Sequence, residues 1–201
     1  MRLGELCVSW FGEGCVAKIV EQQNLGLDWL RAEELLPEPG STLIYLDTNV
    51  YARPFDDQTQ IQIQEEANAF LEIIAEVESK KLILLGSDIL DFEVHNVLSE
   101  EKRTKIESYV GLCVRHIGST EEVLDLGKRI ESNCDVRARD ALHIASAIIG
   151  VARYFLSCDK KVTQMKQTRC YRRLAKPNRH EYFSAMNPTL FAEKLKKGGI
   201  E

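Results

Sequence analysis

Four carboxylates stand at positions where a solvated surface residue is not expected. Asp47 directly follows the apolar run 43–46, and Asp159 follows a second predicted strand that ends at Ser157. Ligands of parallel α/β sheets bind beyond the carboxyl ends of the strands, so both acids are candidates for a site there. Either acid could instead be an ordinary cap of the helix or turn that follows it.

The other two carboxylates, Glu93 and Asp140, lie on apolar faces of predicted helices. Glu93 stands three residues after Leu90 and four before Val97, inside one apolar stripe. Asp140 begins a helical face that continues through Ile144. A buried carboxylate is costly unless it is paired or bound to a metal. The structural alternatives are a rim residue or arginine partner for Glu93 and a helix-dipole role for Asp140.

Acids from separate segments can form a metal site if the fold brings them to one sheet edge. Carboxylates without a companion set of Cys or His ligands suit hard dications, so we expect Mg²⁺ or Mn²⁺. Clustered like charges would repel one another without a cation. Such a site serves phosphoryl chemistry, because the metal orients the phosphate and activates a water. The set is Asp47, Glu93, Asp140 and Asp159.

The elements that must position these acids alternate between short apolar runs and longer amphipathic stretches. This alternation predicts an α/β domain whose mostly parallel sheet has helices on both faces. The predicted strands span residues 43–46, 82–85, 114–117, 154–157 and 182–185. The predicted helices span residues 59–80, 87–99, 101–114, 119–132, 136–151 and 160–167, with a last helix from Pro188.

Composition excludes several classes of protein. Hydrophobic residues make up 44% and charged residues 28% of the 201 residues, which is ordinary globular composition. The formal net charge of −5 excludes a globally basic nucleic-acid coat. The six cysteines form no CxxC pair, so we expect reduced thiols. The apolar run 141–152 is too short to span a bilayer, and we expect a soluble cytoplasmic protein without membrane association.

A local basic segment follows Asp159 directly. Residues 160–180 carry eight Lys or Arg residues and no acid. Such a segment could attract a polyanionic backbone, or it could be a solvated face that serves only solubility. Tyr171 within it is a candidate for stacking on a base. The candidate RNA-binding residues are Lys160, Lys161, Arg169, Arg172 and Arg173.

Four motifs in order resemble the PIN-domain family of metal-dependent ribonucleases, which includes the VapC-like toxins of toxin–antitoxin pairs. The resemblance covers roughly residues 42–192. The motifs are Leu46-Asp47-Thr48-Asn49-Val50, Ser87-Asp88-Ile89-Leu90-Asp91-Phe92-Glu93, Ala138-Arg139-Asp140-Ala141-Leu142-His143-Ile144-Ala145 and Leu156-Ser157-Cys158-Asp159-Lys160-Lys161.

The resemblance implies a PIN-like three-layer α/β/α sandwich with a five-stranded, mostly parallel sheet. It implies the same acidic metal site, with Asn49 and Ser157 as supporting residues beside it. It further implies hydrolysis of RNA phosphodiester bonds that leaves a 5′-phosphate, a homodimer, and an antitoxin as partner. We therefore expect a PIN-like nuclease domain at residues 41–201, preceded by an extension at residues 1–40 that contains short helices or a partner-binding arm.

Other interpretations stay open. The fold could serve a catalytically weak nucleic-acid-binding or regulatory protein, or a Mg²⁺-dependent phosphohydrolase of small phosphate esters. An aspartyl-phosphate mechanism is disfavoured because Asn49, two residues after Asp47, is neutral. His143 lies one turn from Asp140 and could be a general base, although we expect a packing or hydrogen-bonding residue.

Overall fold

The structure is a computed structural model that describes residues 41–175 and 182–200. The predicted extension at residues 1–40 lies outside the described residues, as do Lys176 and Arg179 of the basic segment. No helix within the described ranges is long and apolar enough to cross a membrane.

The described chain alternates strands and helices from its first strand to its last helix. The strands are β1 (Thr42–Leu46), β2 (Leu82–Ser87), β3 (Arg115–Ile117), β4 (Tyr154–Leu156) and β5 (Ser184–Met186). The helices are α1 (Thr48–Ala52), α2 (Ile61–Glu78), α3 (Asp88–His95), α4 (Glu100–Val110), α5 (Glu121–Cys134), α6 (Ala138–Ile149), α7 (Lys160–Thr163), α8 (Met165–Ala175) and α9 (Pro188–Lys196). A short 3₁₀ turn at Arg53–Phe55 follows α1.

The five strands form one parallel sheet in the order β3-β2-β1-β4-β5. The predicted fold class, an α/β/α sandwich with a five-stranded sheet, is confirmed. The chain adds β2 and β3 on one side of β1 and then β4 and β5 on the other side. The strand order therefore reverses between β1 and β4, and in open parallel sheets this switch point is where a ligand-binding crevice forms.

Both faces of the sheet are covered, because side chains of a strand alternate between its two faces. Along β1, Leu43 and Tyr45 pack into a core formed mainly with α5 and α6. Ile44 and Leu46 pack into a second core that includes α2 and α9. Burial on both faces explains why the strands are nearly continuous apolar runs in the sequence.

The structure differs from the predicted elements in the segments next to the switch point. The predicted helix at residues 160–167 is two helices, because Gln164 takes an extended conformation between α7 and α8. Helix α1 was not predicted, since five residues are too few to show a periodic pattern. The helix predicted from residue 119 begins at Glu121, because Thr120 is its N-cap and the Thr120 hydroxyl accepts the Val123 N–H at 3.3 Å.

The expectation that all thiols are reduced is wrong for one pair. Cys134 at the end of α5 and Cys170 in α8 form a disulfide, with Cα atoms 5.7 Å apart. Of the other described cysteines, Cys113 and Cys158 are not disulfide-bonded. The pairing could not be predicted from spacing, since the partners are 36 residues apart and only the fold brings α5 and α8 together.

Candidate metal centre

The carboxylate of Asp47 lies at the carboxyl end of β1, beside the switch point between β1 and β4. Its backbone N–H donates to Leu156 O at 2.9 Å, which extends the pairing of the two strands to this residue. The chain then turns into α1, and the residue is 4% exposed. The side chain makes no cap hydrogen bond to α1, so the capping interpretation of Asp47 is wrong.

Asn49 and Ser157 hold one oxygen of this carboxylate. Asn49 Nδ2 donates to Asp47 Oδ2 at 2.6 Å, and Ser157 Oγ donates to the same oxygen at 2.7 Å. Asn49 Oδ1 in turn accepts the backbone N–H of Cys158 at 2.9 Å. These bonds fix the rotamer of Asp47 and leave its second oxygen, Oδ1, directed at neighbouring side chains.

Glu93 reaches the same place from helix α3. Helix α3 begins after Ser87, whose hydroxyl accepts the Leu90 N–H, and its apolar side packs into both cores. Glu93 remains on the inner side, with 19% of its side chain exposed, and accepts a hydrogen bond from His143 Nε2 at 3.1 Å. The guanidinium of Arg139 is 4.0 Å from its other oxygen. Glu93 is therefore a paired acid directed into the site.

His143 joins the two carboxylates. It is 1% exposed, and its Nε2 lies 3.1 Å from Glu93 Oε2 and 3.9 Å from Asp47 Oδ1. One ligand atom from each of Asp47, Glu93 and His143 lies within 4.8 Å of the other two, which is a group that could hold a metal ion. The expectation that His143 makes hydrogen bonds is met, but the sequence did not indicate that these bonds lie inside the site.

Asp140 and Asp159 are not members of this group of three, although the charge of Asp140 acts on His143 and the charges of Asp47 and Glu93 act on Asp140. Asp140 and Asp159 are both partly buried. Burial, followed by the charges of Asp47 and Asp159, raises the pKa of Asp140 to about 6, against the opposing effect of His143. Asp159 also caps α7, because its Oδ1 accepts the Lys161 N–H at 2.7 Å. Asp159 thus fulfils the capping interpretation, and its charge also acts on Asp140.

The pKa shifts within the site follow from burial and from the charges of the neighbouring groups. Burial raises the pKa of Asp47, and the neighbouring charge of Glu93 raises it further, while His143, Ser157 and Asn49 oppose this. Burial alone would raise the pKa of Glu93, but the bond and charge of His143 bring it below its ordinary value. Burial would lower the pKa of His143, yet Glu93 and Asp47 raise it. The imidazole thus supplies part of the compensating charge.

The donor set of this site suits a divalent cation. Two carboxylates and one imidazole each present a ligand atom at the same place. Thr48 Oγ1 is buried beside them, and its bond to Glu93 helps to lower the pKa of that carboxylate.

The five candidate RNA-binding residues differ in their exposure to solvent. Lys160, Lys161, Arg169 and Arg173 are exposed. Arg172 is partly buried, and its Nε donates to Phe183 O at 2.5 Å, which ties α8 to the segment before β5. The guanidinium of Arg172 therefore makes a structural contact within the fold.

Two other side chains near the site are buried packing residues. Tyr171 is fully buried and its hydroxyl donates to Val162 O at 3.1 Å, so the expectation that it stacks on a base is wrong. Cys158 is also buried, and burial raises the pKa of its thiol far above its ordinary value. A thiol kept neutral in this way is not a nucleophile.

Comparisons with known proteins identify no relative. No protein-family model matches this chain, and neither a curated protein nor a solved structure matches it significantly.

Proposed function

We propose that this chain is a divalent-metal-dependent endoribonuclease with a PIN-like nuclease domain. The observation that carries the proposal is the group of Asp47, Glu93 and His143 at the switch point of the sheet, with Asp140 beside it. Buried carboxylates that hold a divalent ion at such a crevice suit phosphoryl chemistry.

The proposed role of each site residue follows from its hydrogen bonds. Asn49 and Ser157 hold Asp47 Oδ2, so that Oδ1 is presented to the ion. Glu93 is oriented by His143, and Asp140 and Asp159 add negative charge from the neighbouring elements. When bound, a divalent cation would polarise the phosphate and lower the pKa of a water that attacks it. The chain itself supplies a rigid, mostly buried ligand set for that ion.

An RNA substrate is supported by the cationic side chains around this edge. Lys160 and Lys161 directly follow Asp159, and both are exposed. Arg139, 63% exposed, stands one residue before Asp140. Because the carboxylates repel a phosphate backbone, an overall acidic protein needs such local positive charges to retain RNA. A polymer substrate accounts for these residues better than a small phosphate ester does.

The proposed assembly is a homodimer with an antitoxin partner, as the family resemblance implies. A role for residues 1–40 in either contact is part of this proposal. Four large apolar residues of that segment, Trp10, Phe11, Trp29 and Leu30, would pack on the nuclease domain or on a second subunit. Deletion of residues 1–40 should then change the oligomer size in light scattering, and an unchanged oligomer would show that the segment is irrelevant to assembly.

The test of activity incubates the full chain with single-stranded and structured RNA, with Mg²⁺, with Mn²⁺ and with EDTA. The expected result is metal-dependent cleavage that leaves a 5′-phosphate. Asp47→Asn keeps the shape of the side chain but removes a ligand charge, and it should lower the rate by at least about 100-fold. Asp125→Asn, an exposed acid on α5, is the matched control and should cleave like wild type.

Each alternative has its own outcome in the same assay. Binding of RNA without cleavage in any metal would contradict the nuclease proposal and favour a regulatory RNA-binding protein. Hydrolysis of small phosphate esters but not of RNA would favour a phosphohydrolase. Full activity of Asp47→Asn would show that the chemistry takes place elsewhere.

A further inference from the structure

His143 is placed as an ion ligand would be placed, and this goes beyond the carboxylate site of the proposed function. Its Nε2 is 3.1 Å from Glu93 Oε2 and 3.9 Å from Asp47 Oδ1. Two ligand atoms at right angles around one ion, each about 2.1 Å from it, are about 3.0 Å apart. The nitrogen and the Glu93 oxygen already have this separation, so both could bind one ion with little movement.

The other ring nitrogen of His143 has a partner that permits metal binding. Nδ1 is 2.8 Å from the hydroxyl of Tyr45, which is 2.5 Å from Ser87 Oγ. A tyrosine hydroxyl can accept a hydrogen bond from Nδ1–H and donate its own O–H to the serine oxygen. In that arrangement a bound ion would take the place of the proton that Nε2 donates to Glu93. Metal-binding histidines commonly have such a hydrogen-bonded second nitrogen.

His143, Tyr45 and Ser87 form a hydrogen-bonded relay, and burial fixes all three side chains. Tyr45 and Ser87 are fully buried, and Tyr45 also stacks on Phe155 with ring centroids 5.7 Å apart. The serine oxygen additionally accepts the Leu90 N–H at 3.3 Å. The ring of His143 therefore cannot turn away from the site without breaking buried hydrogen bonds, which would be costly.

We propose that His143 binds the ion directly through Nε2, and that the site therefore prefers first-row transition dications such as Mn²⁺ to Mg²⁺. Imidazole nitrogen is a good ligand for transition metals, whereas Mg²⁺ is held almost entirely by oxygen. The inference rests on the metal site of the proposed function. It adds a nitrogen ligand and a metal preference that carboxylates alone would not produce.

The experiment loads the full wild-type chain with Mn²⁺ and records pulsed EPR with unlabelled and with ¹⁵N-histidine-labelled protein. A directly bound imidazole gives a nitrogen coupling to the Mn²⁺ electron spin that changes with the label. We expect that coupling, together with at least about tenfold tighter binding of Mn²⁺ than of Mg²⁺ in titrations. This measurement needs no variant, so its result does not depend on how well a substituted protein folds.

Two variants assign the coupling to one residue. His143→Gln should remove the nitrogen coupling and abolish most of the preference for Mn²⁺. His95→Gln, an exposed histidine on the same helix as Glu93, should keep both. Bound Mn²⁺ without nitrogen coupling, or equal affinity for the two metals, would overturn the inference even if RNA is cleaved. Nitrogen coupling without RNA cleavage would support the inference and contradict the proposed function.

Discussion

At the scale of single residues, the site is built by polar side chains that orient the acids. Asn49 bonds to Asp47, to Ser157 and to the backbone of Cys158. It thereby joins the end of β1 to the end of β4, the two strands on either side of the switch point. A neutral amide suits this position because it can donate to a carboxylate and accept an N–H at the same time.

Replacing Asn49 with alanine should cost stability and metal affinity together. The substitution removes a donor to Asp47 Oδ2 and leaves the Cys158 N–H without its acceptor. We expect a loss of about 1–3 kcal/mol in the free energy of unfolding, measured by urea denaturation, with weaker binding of Mn²⁺. Asn133→Ala, an exposed residue at the end of α5, is the control. Unchanged metal affinity in Asn49→Ala would contradict the orienting role.

The sequence predicted the acids of this site better than their partners. Asp47 and Glu93 were found because a carboxylate after a strand or in an apolar stripe is anomalous. The relay from His143 through Tyr45 to Ser87 was not found, because its members are 98 and 42 residues apart along the chain. Each of them looks like a core residue until the fold brings them together.

At the scale of elements, two contacts hold helices in place around the site. The disulfide of Cys134 and Cys170 ties α8 to α5. On the other side, His116 at β3 bonds to Asp88 at the start of α3, and Asp88 also accepts the Ser119 N–H at 2.6 Å. These contacts fix the position of α8, which carries Arg169 and Arg173, and of α3, which carries Glu93.

Removal of the disulfide should destabilise the fold. A cross-link that closes a loop of this length stabilises a protein by about 2–4 kcal/mol, mainly by restricting the unfolded chain. Cys134→Ser with Cys170→Ser should therefore lower the free energy of unfolding by about that amount, measured by urea denaturation without reductant. Reductant should destabilise wild type and leave the double variant unchanged. Equal stability of the two proteins would show that the pair is not cross-linked.

The contact of His116 with Asp88 should make stability depend on pH. Burial alone lowers the pKa of His116, but the bond to Asp88 and the charge of Asp91 raise it above its ordinary value. Burial alone raises the pKa of Asp88, but His116 and Ser119 bring it below its ordinary value. The stabilisation is fully present between the two ordinary values, 3.8 and 6.5. It is lost as pH rises through the raised pKa of His116 or falls through the lowered pKa of Asp88.

His116→Gln tests this dependence directly. At pH 6 the variant should be less stable than wild type by about 1.5 kcal/mol, because a charge-assisted hydrogen bond is lost. At pH 9 the difference should be smaller, since wild-type His116 is then neutral. Urea denaturation at the two pH values measures both differences, and His95→Gln is the exposed control. A difference that is the same at both pH values would contradict the ion pair.

Most elements could be predicted because their apolar periodicity is strong. Strand β1 and helix α2 were expected within about two residues of their observed bounds. Helix α1 and the division between α7 and α8 were not predicted, because short elements near a ligand crevice are shaped by tertiary contacts. The register that places Asp47 beside Leu156 follows from the sheet and not from any local pattern.

At the scale of the whole molecule, an acidic protein presents local positive charge near a group of buried acids. The net charge is −5, yet Lys160 and Lys161 follow Asp159 directly and Arg169 and Arg173 are exposed on α8. Charge separated in this way would attract a phosphate backbone to one region of the surface. Arg172 does not contribute in the same way, because its guanidinium is engaged by Phe183 O.

Binding of uncleavable RNA should therefore depend on salt through the exposed arginines. Each phosphate contact contributes about −0.7 to the slope of log K against log salt for a single strand. Arg169→Gln with Arg173→Gln should flatten that slope and weaken RNA binding, while Mn²⁺ affinity stays unchanged. Lys128→Gln on α5 is the control for a general loss of charge. A double variant that binds like wild type at every salt concentration would place the substrate path elsewhere, with Arg139 the next candidate.

We place a divalent ion at the switch point between β1 and β4. Anomalous diffraction from crystals of the full chain soaked in Mn²⁺ tests this placement most directly. We predict one strong peak bounded by Asp47 Oδ1, Glu93 Oε2 and His143 Nε2, and no such peak in Asp47→Asn crystals treated in the same way. A fully occupied Mn²⁺ ion at another place in wild type, with none at this edge, would contradict the account.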